Sequence, residues 1–322
     1  MRAVPDEFRV VEELGFAASG DGEHDMLTVE KTRTNTDWLA RKLAQHAGIK
    51  SLDVGYAGLK DRHAVTTQTF TVRRPNRDGT DWAAFSVAGA RILDVQRHNR
   101  KLKRGAHVAN HFRIGLRADL TSADRAALQV RWQHIVAGGI PNYFGPQRFG
   151  RNGNNLALAR DVLSGKRVRR EQRSIAISAA RSFLFNEILA ARVSAGTWDR
   201  LLEGDLANLD GSRSVFSVAA IDETLVARCA AFDIHPAATL WGDGAPLTSG
   251  AAAAIEAEAV AGHAALCAGL VNARIAADSR PLRLRLADTS LEFDEGIFWL
   301  SFRLPKGAFA TSVIRELLTD RP

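Results

Sequence analysis

Cysteine is scarce: the chain has two, Cys229 and Cys267, with no Cys-x-x-Cys or Cys/His spacing. That excludes a disulfide framework and a cysteine-based zinc site, and it fits a reducing compartment. No uninterrupted apolar run reaches the ~18 residues that a membrane-spanning helix needs. The opening MRAVPDEFRV lacks the apolar stretch of a secretory signal. The expected location is therefore cytoplasmic, with no membrane partner. A two-metal nuclease requires several convergent carboxylates, and the sequence has no DxD or ExxH pattern. A methyltransferase would need a glycine-rich nucleotide loop after a strand, and none is present.

What is abundant is positive charge. The 322 residues carry a formal net charge of +7 and a sequence pI near 9.8, with 46% apolar and 25% charged residues. A pI above ~9 is the electrostatic footprint of a nucleic-acid binder. The charge is clustered: Arg97–Arg104 (RHNRKLKR) holds five Lys/Arg and one His, and Lys166–Arg173 (KRVRREQR) holds five more. Such runs suit phosphate tracking with counterion release, although a pair of solvated loops would look the same. Arg100, Lys101, Lys103, Arg169 and Arg170 are the candidate backbone contacts.

The first third alternates strand and helix patterns. Strands are expected at Phe8–Leu14, Leu27–Thr32, Ser51–Ala57, Thr67–Val72, Val87–Val95 and Val108–Leu116. In the last of these, Val108, Asn110, Phe112, Ile114 and Leu116 share one face at period two, which sets a polar Asn in an apolar row. Asn35–Ala47 predicts an amphipathic helix with Asn35 as its cap and Gly48 as its stop. Thr121–Ala137 predicts another, ended by Gly138-Gly139. From about Asn155 to Ala277 the pattern is mostly helical and alanine-rich, broken by loops near Gly204–Ser214 and His235–Gly250. The tail predicts strands at Pro281–Leu286, Leu291–Asp294 and Ile297–Leu304, then a helix at Thr311–Leu318. Strands, helices, then strands again point to an α+β domain interrupted by a helical insertion.

Three segments carry candidate chemistry. VGYAGLKDRHAVTTQTF (Val54–Phe70) sets Lys60, Asp61, Arg62 and His63 on a loop between two strands, where rigid flanks hold functional groups. Gly58 there allows a turn or the close approach of a ligand. PNYFGPQRFG (Pro141–Gly150) mixes aromatics with Arg. It suits base stacking, or equally a buried loop anchored by Tyr143, Phe144 and Phe149. PKGAFATSVIR (Pro305–Arg315) places Phe309 just before a helix start, whose free N–H groups suit a phosphate. A plain junction would look alike.

GLKDRHAVTTQ with NYFGPQRFG downstream resembles the TruD family of tRNA pseudouridine synthases. So do the opening PDEF, the GDGEH at Gly20–His24 and the closing GAFATSVIREL. The blocks run in family order from Pro5 to Leu317, so the resemblance covers nearly the whole chain. It implies a pseudouridine-synthase catalytic domain on a mixed, largely antiparallel sheet with flanking helices, made of residues 1–137 and 278–322. It also implies a mostly helical insertion at 138–277, which SAARSFLFN (Ser178–Asn186) fits. The implied activity is isomerisation of uridine 13 in tRNA without cofactor or metal. The resemblance makes Asp61 the catalytic residue and places Phe8, Asn110, Phe112 and Phe309 at the uracil site. One departure is visible: the chain starts four residues before Pro5, where the family carries a longer segment, which bears on the sheet edge.

The chemistry is coherent with these residues. Pseudouridine formation breaks a C–N bond and makes a C–C bond to the same ring. A carboxylate serves as nucleophile at sugar or ring, or by stabilising the anomeric carbon and moving a proton. An ionised carboxylate in a closed pocket needs a basic partner. Lys60 and Arg62 flank Asp61 in sequence, but neighbours in extended chain point to opposite faces, so the partner is expected from elsewhere. Phe112 suits stacking on a flipped base, and the Asn110 amide offers a donor and an acceptor to the uracil edge. The competing reading is a non-catalytic RNA-binding protein or tRNA chaperone on the same scaffold. A monomer is the default expectation.

Overall fold

The computed structural model describes residues 4–74 and 79–318. The chain divides into two compact units, residues 1–130 with 286–307 and residues 131–285 with 308–322. The first stretch lays down β1 (Phe8–Leu14), β2 (His24–Thr32), α1 (Thr36–His46), β3 (Val54–Tyr56), β4 (Val65–Arg73), β5 (Ala90–His98), β6 (His107–Arg117) and α2 (Ser122–Gly138). The chain continues through β7 (Ile140–Pro141), α3 (Asn154–Leu163), α4 (Arg170–Ser194), β8 (Leu206–Leu209), β9 (Val215–Ser217) and α5 (Glu223–Ala230). Next come β10 (Ile234–Leu240), α6 (Gly250–Val260), α7 (Ala264–Asn272), β11 (Asp278–Pro281) and β12 (Arg283–Leu284). Strands β13 (Ala287–Asp294) and β14 (Ile297–Pro305) close the sheet of the first unit, and α8 (Ala310–Leu318) belongs to the second.

The first unit is built on an eight-stranded mixed sheet of order β13-β14-β6-β1-β4-β2-β5, with β3 beside β4. Only the β1–β4 pair is parallel among the described pairings; the rest are antiparallel. The largely antiparallel mixed sheet is as the family resemblance implies. β1 is an interior strand between β6 and β4. Helix α1 covers part of one face. Its Leu39, Ala40, Leu43 and Ala44, at the spacing of one helical stripe, pack on Leu27, Val29, Phe70 and Val72. Asn35 takes the N-cap position, yet its side chain makes no cap hydrogen bond. The predicted strand at Ser51–Ala57 is shorter than expected, because Ser51–Asp53 form a 3-10 turn that leads into β3.

The second unit is built around α4. Ala176, Ala180, Leu184 and Ile188 recur every four residues and are fully buried, beside Phe185 and Leu189. Helices α3, α6 and α7 contribute Ala159, Val260, Leu266 and Leu270 to the same core. Two helical stretches, α4 and Gly250–Asn272, are by composition long and apolar enough to cross a membrane; for α4 that apolar content is the core stripe just described. Helix α2 ends as predicted: Gly139 has φ +76°, and a Cβ there would meet the Leu284 carbonyl oxygen at 2.7 Å.

One sequence expectation for this unit is corrected. The segments expected as loops near Gly204–Ser214 and from His235 contain strands β8 and β10, part of a four-stranded sheet of order β11-β10-β8-β9. The reason is burial on both faces. Residues Ile234–Thr239 of β10 are all buried, so no polar–apolar alternation marks the strand, and Pro236 within it reads as a breaker.

A buried ion pair ties α4 to the start of this sheet. Arg192, 3% exposed, donates to both carboxylate oxygens of Asp205, 1% exposed, at 2.7 and 2.9 Å. The remaining guanidinium donors reach the carbonyls of Thr197 and Arg200, and Asp205 also accepts from the Leu202 N–H. Removing one partner strands a desolvated charge. Asp205→Ala is therefore expected to cost about 3–5 kcal/mol, read as a fall in the thermal unfolding midpoint of the full chain.

Candidate active site

Strand register collects the sequence-predicted residues of the first unit on one sheet face. Lys31 on β2 stands opposite Thr66, Thr66 opposite Val10, Val10 opposite Phe112, and Phe112 opposite Phe302. The next row pairs Glu12 with Asn110 and Asn110 with Leu304. Directly opposed residues share a face, so Lys31, Glu12, Asn110 and Phe112 project from the side of the sheet that α1 covers further along. Phe112 and Phe302 stack at 5.5 Å, and Phe8 meets Phe112 edge-on at 6.4 Å. Phe8 and Phe112 are only half-buried. The aromatic floor thus keeps ring surface open.

The KDRH loop lies between β3 and β4, with Asp61 exposed. One Asp61 carboxylate oxygen accepts the His63 N–H at 2.8 Å, a turn of the kind aspartate favours. The Lys60 N–H donates to the Thr36 hydroxyl, and Gln68 donates from its amide to the Gly58 carbonyl, so α1 and β4 both hold the loop. Gly58 is not in the left-handed region, and a Cβ would meet His107 at 3.4 Å, an ordinary contact. Its carbonyl, not its lack of a side chain, is what the loop uses.

Neither sequence neighbour serves as the partner of Asp61. Arg62 donates to the Arg33 carbonyl. Lys60 turns into the sheet: its side chain, 7% exposed, forms an ion pair of 2.7 Å with the fully buried Glu12 carboxylate, though not at hydrogen-bond angle. It also donates to Asn110 Oδ1 at 2.8 Å. A lysine is a donor only, so this bond fixes the amide: Oδ1 faces Lys60, and the Nδ2 group is left to donate elsewhere. The second Glu12 oxygen accepts the Thr69 N–H at 3.1 Å.

The cation beside Asp61 is Lys31. It is 1% exposed and donates to the carbonyls of Thr34 at 2.8 Å and of Asp61 itself at 3.1 Å. Burial pushes its pKa down to about 8; the nearby Asp61 charge pulls upward and Lys60 pushes further down. His107, near Lys60 and Glu12, is held below the usual histidine range, mainly by burial, and is neutral at pH 7. Sequence reasoning missed Lys31, Glu12 and His107. A lysine in step with Leu27 and Val29 on the inward face of β2 was the one available signal, and the expected strand at Leu27–Thr32 already contained it.

Phe309 belongs to the second unit. It precedes α8 directly, is half-buried, and meets Phe144 edge-on at 6.3 Å. Phe144 is clamped by Asn186, which accepts its N–H at 2.9 Å and donates to its carbonyl at 3.0 Å. Arg280 lies over the Phe144 ring at 4.0 Å and Arg315 over Tyr143 at 4.5 Å. Of the two readings of PNYFGPQRFG, the anchored loop therefore holds for Tyr143 and Phe144, whose rings the protein's own arginines cover.

The basic runs divide by use. Arg97 pairs with Asp25, and the Lys101 ammonium donates to the Leu52 carbonyl. Arg100 and Lys103 are exposed, with the Arg100 guanidinium 5.2 Å from the Phe16 ring centre. Arg169 and Arg170, at the start of α4, are exposed as well.

Comparison with known proteins identifies the family. The family model described as tRNA pseudouridine synthase D (TruD) matches residues 1–168 and 162–317. A tRNA pseudouridine synthase D of Methylococcus capsulatus is 46% identical, with 100% of this chain and 91% of that protein covered. One of Chromohalobacter salexigens is 45% identical, covering 98% of this chain and 92% of its own. A crystal structure of a candidate tRNA pseudouridine synthase D from Methanosarcina mazei shares the fold, with a TM-score of 0.77 at 20% identity over 100% of this chain and 93% of that one. With both its sequence blocks and its fold matched along essentially the full length, the chain belongs to the tRNA pseudouridine synthase D (TruD) family.

Proposed function

We propose that this chain isomerises uridine 13 of tRNA to pseudouridine, with Asp61 as the nucleophile. Family membership carries the coarser statement: the chain is a tRNA pseudouridine synthase, an isomerase. The observation that supports the finer reading is an exposed aspartate with a buried lysine beside it, the lysine sharing a sheet face with the aromatic floor. The reaction moves C1′ of the ribose from N1 to C5 of the same uracil. The C5 proton is lost and N1 gains one, so atoms balance without a co-substrate.

Each residue then has a task. Phe112, with Phe8 at its edge, supports the flipped base. Asn110, its Oδ1 committed to Lys60, donates from Nδ2 to a uracil carbonyl oxygen. Lys31 sets a buried positive charge beside Asp61. Phe309 is retained as a substrate contact on the family resemblance. The helix-rich segment 138–277 is assigned as the family's insertion within a catalytic domain of residues 1–137 and 278–322. Arg100, Lys103, Arg169 and Arg170 track the tRNA backbone, because phosphate contacts position while base contacts specify.

Three outcomes test this. On an unmodified tRNA transcript in EDTA, wild type is expected to form pseudouridine at position 13. Asp61→Asn should fall below ~10⁻³ of that rate while tRNA binding persists; an active Asp61→Asn would refute the nucleophile. Because Lys31 loses its proton as pH rises through about 8, kcat/KM should decline above that pH, and Lys31→Met should be slow with a flat profile across the same range. Finally, Arg100→Gln with Lys103→Gln should reduce the slope of log affinity against log salt by about one to two, measured by tRNA titration. Lys101 is left out because its ammonium is used on Leu52.

A further inference from the structure

The second unit holds a pocket of about 420 Å³ along α4, within the ~300–1,000 Å³ range of small-ligand sites. Its charge is one-sided. Arg170, Arg173 and Arg181 line it, and none of the lining residues is acidic. Arg170 and Arg173 make no ion pair among the described residues. Arg181 is fixed as a rigid wall, donating to the carbonyls of Leu240, Trp241 and Ala276 at 3.0–3.2 Å. Ser178 accepts from Arg148 at 2.9 Å, which leaves its hydroxyl hydrogen to donate. Ile177, Leu240 and Ile275 add apolar surface to the lining.

Uncompensated guanidiniums ask for an anion, and the apolar wall asks for a flat uncharged group on the same molecule. A nucleotide has both. Phe144, which also lines the pocket, packs against Phe309. The pocket therefore lies one aromatic ring from the residue assigned to the substrate base. We propose that this pocket takes one unpaired nucleotide of the bound tRNA, its phosphate on Arg170 and Arg173 and its base against Ile177, Leu240 and Ile275. This rests on the reading that the chain acts on tRNA, and it adds a second base-sized contact to it.

The test is a cycle between protein and RNA. Ser174 lines the pocket and is exposed on α4, so Ser174→Trp fills the space without entering the core. Transcripts with single abasic residues at unpaired positions are titrated against wild type and Ser174→Trp. One abasic position is expected to weaken wild-type binding by about tenfold. Ser174→Trp should show a similar loss on intact tRNA and no further loss at that position, with kcat at saturating tRNA unchanged. Arg173→Gln, at an exposed position, should lower the salt slope by about one. Ser174→Trp that binds every transcript as wild type does, or losses that add at all positions, would overturn the proposal. So would saturation of the pocket by adenosine or uridine monophosphate without displacement of tRNA, which would make it a site for free nucleotide. A wild-type protein that fails to bind or modify tRNA would instead defeat the function proposed above.

Discussion

The geometry of the candidate site depends on one buried ammonium. Lys60 leaves the catalytic loop and enters the sheet, where Glu12 and Asn110 receive it. Desolvating such a pair costs several kcal/mol per ion before the attraction repays it, so the contact is weak as a source of stability. Its value is placement. It pins the residue before Asp61 to β1 and β6 at once, and it decides which end of the Asn110 amide faces outward. Asp61 gains a fixed position because its neighbour's side chain has none to spare.

Lys31 adds a second buried cation a short distance away, and the two repel each other. Its folded pKa, about 8, lies below the ordinary value of 10.5. The unfolded chain therefore binds more protons between those values. By linkage the fold carries the cost of the charge below about pH 8 and is relieved of it as pH rises toward the ordinary lysine range. Conditions that stabilise this corner of the fold are those that withdraw positive charge from Asp61.

Much of this was legible in the sequence. The alternation along β6 placed Asn110 and Phe112 on one face, and the register confirms that they share it. The partner of Asp61 was expected from elsewhere because neighbours in extended chain diverge, whereas Asp61 itself opens a turn onto His63. What stayed hidden was long-range. Lys31 and Glu12 are polar residues at inward positions, and period-two patterns give no sign of which buried charge meets which. The β10 strand was hidden for the opposite reason, since burial on both faces erases alternation. The PNYFGPQRFG aromatics could be read either way until Arg280 and Arg315, remote in sequence, were seen to cover them.

The central place of β6 has a consequence for the order in which the protein comes into being. One edge of β6 pairs with β1 and the other with β14. During synthesis β1 is available at once, but β14 emerges only after the whole of residues 131–285. For that interval the first unit has an open strand edge, and Phe112 lacks the Phe302 ring beneath it. An exposed edge invites pairing with other chains, and non-local strands close slowly. The nascent chain is thus most exposed to misassembly while its helical middle is being made, and a product truncated before residue 297 would have an open edge on β6 and would lack the Phe302 ring of the aromatic floor.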